Sequence, residues 1–322
     1  MTIKKVLKTL TAGAGVLTAA AAFGGSPVPA TDVQAAYSGT AHDALFSIAF
    51  NGSNGYAVGT AGELLHSNDA GKDWTLVKAP TLRALLGVAA CAGHTIAVGQ
   101  EGIIVVSDGN GQWHKVPSGT SNRLFSVSVN PAGYAVAVGA FGTILKSQDG
   151  GQTWSSIAPD WTSYTPDGAQ PHLYAVALDD KGGITLAGEF GLILRSSDSG
   201  ASWKVLHKDE ASLFALDIRP DGTGFAVGQS GTVLKTTDGG ATWSDIKVDS
   251  SANLLGVSTG ANGHVVITGM HDMLISDDDG ASFRHVDDAG VRAAWYQGIA
   301  RSSPDAPAYA TGHSGQIIRI GG

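Results

Sequence analysis

Five stretches of this chain place a Ser or Thr, an Asp two residues on, a Gly two further and an aromatic three beyond that. They are Ser67-Asp69-Gly71-Trp74, Ser147-Asp149-Gly151-Trp154, Ser196-Asp198-Gly200-Trp203, Thr236-Asp238-Gly240-Trp243 and Ser276-Asp278-Gly280-Phe283. A sixth, SDGNGQW from Ser107 to Trp113, is one residue short. A carboxylate beside a hydroxyl could serve acid–base chemistry or hold a cation. The repetition argues otherwise, because one active site does not need so many copies, and the ligand series of a calcium loop is missing. The same residues suit a hairpin turn. Asp accepts hydrogen bonds from backbone N–H groups a few residues on, and Gly takes the positive φ that other residues resist. The Trp then starts the next strand and buries a large apolar face, contributing about 2–3 kcal/mol.

Other chemistry-bearing residues are sparse. The ten His include no H-x-x-x-H pair or His/Cys cluster, so neither a metal nor a cofactor is expected. Cys91, the single cysteine, lies in the apolar run GVAACAG and reads as a buried, inert thiol. Glycoside hydrolysis is the alternative function. A xyloglucanase type would need paired carboxylates about 5–10 Å apart, for which Glu101 and Glu189 are candidates two units apart. A sialidase type would need three converging Arg, a Tyr nucleophile and an acid–base Asp. DIRP at Asp217–Pro220 is a faint echo of its arginine motif, whereas Arg195 and Arg319 fall late in a strand.

The elements that carry these residues follow a repeat. An apolar run ends in Gly at Gly59, Gly99, Gly139, Gly188, Gly228, Gly269 and Gly312, with spacings of 40, 40, 49, 40, 41 and 43 residues. A second Gly follows three residues later in every unit but the sixth, which has Asp272. Each unit reads as four short strands, in the third LFSVSV (A), YAVAVG (B), TILKS (C) and TWSSIA (D). A period of 40–45 residues with four strands is that of a propeller blade. The fold class is therefore all-β, a seven-bladed β-propeller. The last unit ends at QIIRIGG and lacks a strand D, which residues around 36–40 are expected to supply, leaving no open edge.

Lys4, Lys5 and Lys8 before the apolar stretch 10–23 read as an export signal, too short for a membrane span. Small-residue cleavage sites follow at Ala30 and Ala35. The second is preferred, giving residues 1–35 as signal and 36–322 as one propeller domain, exported and periplasmic, or otherwise secreted or lumenal. Without the signal the chain keeps 17 basic and 27 acidic residues, net −10, which excludes nucleic-acid binding through a general basic field. A monomer with no membrane span is expected.

The repeated turn resembles the Asp-box, or BNR repeat, of sialidases and related propellers. The fuller units VAVGAFGTILKSQDGGQTW and FAVGQSGTVLKTTDGGATW resemble the photosystem II assembly/stability factor family, over nearly the whole chain from Ala36. The resemblance implies a non-enzymatic scaffold that binds a protein partner, a membrane protein complex of photosystem or transporter type. Photosynthetic members carry Arg-rich surface positions. Here only Arg83 and Arg123 precede strand A, with His172, Ser212, Asn253 and Trp295 near that place in later units.

In a propeller the D–A and B–C connections share one face and the Asp turns lie on the other. Function is expected on the first face, where loops ring the channel. Its B–C connections offer Gln100, Glu101, Phe141, Glu189, Phe190, Gln229, His271 and His313 as partner-binding candidates. The D–A connection after Trp154 runs 19 residues to the next strand A, against 10 to 13 elsewhere. Its insertion, PDWTSYTPDGAQPH, puts forward Trp161 and Tyr164 as exposed aromatic anchors.

Overall fold

The computed structural model describes residues 32–109 and 111–321. The segment 1–31, with the expected export signal and its Ala30 site, lies outside them. Among the described residues the strands form seven four-stranded antiparallel sheets, one per repeat unit. In the third, strands A (Leu124–Val129), B (Ala135–Gly139) and C (Ile144–Ser147) follow the expected pattern. Each strand A packs beside that of the next blade, and Tyr296–Arg301 of the seventh meets Leu45–Asn51 of the first, so the ring closes. The apolar cores lie between blades: Ile96, Ile104 and Val106 of the second blade pack with Leu124, Val127 and Leu145 of the third.

Closure uses the chain's own N-terminal part, as the missing strand D required. Val33–Tyr37 pairs antiparallel with Ile317–Ile320, in the register Val33↔Ile320, Gln34↔Arg319 and Ala35↔Ile318. Asp32 extends the seam. Its carboxylate takes Arg284 Nη1 of the sixth blade at 2.6 Å and its carbonyl takes Gly321 N at 2.9 Å. The strand thus starts before residue 36, because the apolar pairs with Ile320 and Ile318 need Val33 and Ala35.

Strand D departs from expectation elsewhere. In the first, third, fifth and sixth blades it has two residues, as at Ser155–Ser156, and the aromatic of the Asp turn precedes it. Brief outer strands leave little unpaired edge for another chain to join. Trp74 is buried, but Trp154, Trp203, Trp243 and Phe283 are only half-buried, since they lie at the blade rim. Cys91 is likewise half-buried at the end of its strand rather than enclosed.

The Asp turns are fastened as their composition requires. Ser147 Oγ donates to Asp149 Oδ1 at 2.7 Å and accepts from Gly151 N at 2.9 Å. Asp149 Oδ1 also accepts from Gln152 N and Thr153 N, and Trp154 Nε1 donates to Gly151 O. Gly151, at φ 92°, lies against the preceding blade: a Cβ there would stand 2.8 Å from Ile96 Cδ1. The Thr153 hydroxyl and amide bonds hold the Asp149 carboxyl down at about 2, and Asp198, Asp238 and Asp278 are held there by the equivalent Ser or Thr.

Candidate functional site: the loop face and channel mouth

The B–C connections pack on the D–A connections that follow them, so both lie on one face. Gly142 N donates to Pro171 O at 2.8 Å and Gly231 N to Ala252 O at 2.8 Å. The Asp turns meet the A–B turns on the other face, as in Gly150 N to Gly133 O. In each B–C turn the second variable residue takes a left-handed conformation: Ala61, Glu101, Phe141, Phe190, Ser230, His271 and Ser314, with φ between 52° and 61°. That geometry turns the side chain away from the blade. Phe141 is 59% and Phe190 46% exposed. In several blades the first variable residue holds the start of its own blade's strand A, as Thr60 Oγ1 accepts from Ala44 N. Gln100 Oε1 accepts from Ala84 N and Glu189 Oε2 from His172 N.

Several predicted residues meet here. His172 Nδ1 accepts from Phe141 N at 3.1 Å, and the two rings meet edge to face at 5.0 Å. His172 also abuts Phe125 at 6.0 Å and Tyr174 at 6.3 Å. On the opposite side of the mouth Trp295 stacks on Phe46 at 6.1 Å and meets His313 at 6.4 Å. His271 stands apart, its Nδ1 against Arg292 O.

The insertion does not present its aromatics to solvent. Trp161 is 5% exposed and belongs to the core between the third and fourth blades, and Tyr164 packs against it. Tyr164 Oη donates to Trp203 O, and Asp160 caps the short turn at Thr162 N. The reason is local. Gly142 has no side chain, and a Cβ there would fall 2.1 Å from Trp161 Nε1, so the indole fills the space behind the Phe141 turn. Trp161 and Tyr164 are thus positioning residues, not exposed anchors.

The arginines also separate. The residue before each strand A is Ala44, Ala84, Arg123, His172, Ser212, Asn253 or Trp295, so Arg83 is one place out of register with Arg123. Arg83 pairs with Glu101 at 2.7 Å, both side chains being more than half exposed. Arg123 makes no ion pair or hydrogen bond through its side chain among the described residues. Glu101 and Glu189, the candidate hydrolase pair, are each held elsewhere, the first by Arg83 and the second by His172 N. Arg195 and Arg219 lie in one groove on the Asp-turn side, paired with Asp179 and Asp221.

One set of residues was not anticipated. In every strand A the ladder to strand B skips the second residue, as between Leu124 and Ser126. Such bulges re-aim a side chain. The skipped residues are Phe46, Leu86 and Phe125, then Tyr174, Phe214 and Leu255, then Gln297. With Gln100 and Arg123 they line one cavity of about 330 Å³. A sequence signal exists in hindsight: LFS, LLG, LFS, LYA, LFA and LLG each put two large apolar residues side by side, breaking the alternation of a two-faced strand. Tyr174 Oη lies 3.5 Å from Glu189 Oε1, and burial, then that carboxylate, push its phenol up to about 12.

With this geometry in view, comparison with known proteins places the chain. The DUF6242 beta propeller domain matches residues 31–215. The chain belongs to that family. No curated protein matches this sequence. Among solved structures, this DUF6242 propeller resembles one described as YCF48 bound to D1 peptide, at 17% identity and a TM-score of 0.73, covering 92% of this chain and 98% of that one. YCF48 from Cyanidioschyzon merolae aligns at 18% and 0.70, over 90% and 98%. The WD40 propeller domain of Doa1 aligns at 11% and 0.69, over 90% and 97%. At such identities the likeness is one of fold, as the similar score of the WD40 domain makes plain.

Proposed function

We propose that this propeller is an exported, non-enzymatic scaffold that binds a protein partner through its loop face and supports assembly of a membrane protein complex. The observation that carries the reading is a set of large apolar side chains standing out on that face. Phe141 and Phe190 project from left-handed turns, Met270 is 41% exposed and Leu82, in the D–A connection before the second blade, 87%. Rigidly held, exposed aromatics are favoured at the centres of protein interfaces, where they bury area at little entropic cost. The Phe141 turn is held from behind by His172 and Trp161, which lowers the ordering cost of binding. The fold likeness to a YCF48 structure with a bound D1 peptide is consistent with a peptide or protein ligand.

Export is part of the proposal, resting on the basic and apolar N-terminal segment. Because Asp32 to Ala35 belong to the closing seam, processing at Ala30 preserves the ring and processing after Ala35 removes most of its last strand. The test of function is affinity capture, with the purified propeller as bait, from a mildly solubilised membrane fraction of the host. Recovery of a membrane protein complex supports the reading. Recovery of none, together with turnover of a fluorogenic sialoside or β-glucan, overturns it.

A further inference from the structure

The central cavity is a separate feature from the exposed face. Its volume of about 330 Å³ is within the range of small-ligand pockets, roughly 300–1,000 Å³. Three of its walls are aromatic and adjacent. Phe125 and Tyr174 lie 5.5 Å apart with tilted rings, and Tyr174 and Phe214 5.4 Å apart edge to face. Aromatic rings at such separations can receive one further ring in offset or edge-on contact. Phe46 and Leu255 extend the apolar lining, and water has few partners along such a wall.

The polar groups are few, the Arg123 guanidinium, the Gln100 and Gln297 amides and the Tyr174 hydroxyl, and only the first is charged. Arg123 lies at the mouth with its guanidinium unpaired among the described residues, and no carboxylate lines the cavity. Glu189 is committed to His172 N and faces Tyr174 Oη. Gln297, the one amide in the bulge ring, has no side-chain hydrogen bond among the described residues. A guanidinium fork matches a carboxylate in shape and charge. We infer that the channel binds a small aromatic carboxylic acid, its ring among Phe125, Tyr174 and Phe214 and its carboxylate on Arg123. This inference does not rest on the protein-partner reading, since it concerns the channel and not the exposed turns.

The test is calorimetric titration of the purified propeller with 3-phenylpropionate and with its neutral amide. The acid is expected to bind the wild-type protein more tightly than the amide. In Arg123→Gln the affinity for the acid should fall about tenfold, to that of the amide, while the amide is unchanged. In Gln297→Trp, which fills the channel from an exposed position, both should lose binding with an unaltered melting temperature. Arg123 is exposed, so its substitution leaves the packing alone and keeps the test decisive even if the filled variant melts early. No binding of the acid to the wild-type protein at millimolar concentration overturns the inference. So does equal binding of the acid to wild type and Arg123→Gln, or undiminished binding to a folded Gln297→Trp.

Discussion

The backbone N–H of Phe141 donates to His172 Nδ1 at 3.1 Å across two blades, so the imidazole of the fourth blade fixes the left-handed turn that exposes the phenyl ring of the third. Nδ1 is the acceptor, which places the proton of the neutral ring on Nε2. The bond joins a residue of the long insertion to one of the repeated turns, and it accounts for how an exposed aromatic is kept in one orientation.

Replacing His172 by Leu removes this acceptor and keeps most of the apolar volume. The cost is expected to be about 0.5–1.5 kcal/mol, the net worth of one exposed hydrogen bond. Native-state hydrogen exchange should show faster exchange at the Phe141 amide in the variant, with strand amides such as Val127 unchanged. Equal rates at Phe141 would mean that His172 does not hold the turn.

Closure of the ring by the N-terminal strand makes a second prediction. A chain starting at residue 36 loses Asp32, Val33, Gln34 and Ala35, and with them the Arg284 ion pair and the pairing with Ile318 and Ile320. It should melt several degrees lower than a chain starting at residue 31 and be cleaved first near its last strand in limited proteolysis. Mass spectrometry of the processed protein should find a terminus before Asp32. A terminus at Ala36 in a stable product would show the seam to be dispensable.

Acid should weaken the Asp turns together. Asp149, Asp198, Asp238 and Asp278 are held at about 2 by Ser or Thr side-chain and backbone bonds, below the unfolded value of about 4. A carboxyl whose folded pKa is depressed adds stability that is complete above the unfolded value and disappears as the pH falls through the folded one. Melting temperature should therefore drop between about pH 4 and pH 2. Replacing Asp149 by Asn should lower it at pH 7 and flatten part of the acid limb. A limb with the wild-type slope would contradict the assignment.

Glu63 has the opposite sign. Burial, then the Asp43 charge, push its carboxyl up to about 7, and its Oε2 is enclosed with no hydrogen-bond partner among the described residues. A raised folded value means that stability present at low pH is lost as the pH rises from about 4 through 7. Glu63→Gln should raise the melting temperature at pH 8 and leave it nearly unchanged at pH 4. A variant less stable at pH 8 would show that the charged form has a partner.

The repeat made most of the fold legible. Gly at fixed spacing, alternating apolar runs and the Asp turns specify four strands per blade, and the absent seventh strand D points to closure by the N-terminal part. Those signals are local, and each recurs in several units. The site was less legible because its residues depart from the repeat. Trp161 and Tyr164 looked like interface aromatics on composition. Only the missing side chain of Gly142, in another connection, gives the indole its buried place. Arg83 and Arg123 looked equivalent until the strand register separated them. The channel ring depends on a bulge, which sequence alternation marks only as two adjacent large residues.

The most direct test of the account compares wild-type propeller with Phe141→Asp/Phe190→Asp as bait on the same solubilised membrane fraction. Both residues are exposed, so the variant should melt as the wild type does. The account predicts that the wild type retains a membrane protein complex and that the variant, placing two charges on the apolar face, loses it. Equal retention of the same complex by both would contradict the assignment of the loop face as the binding surface.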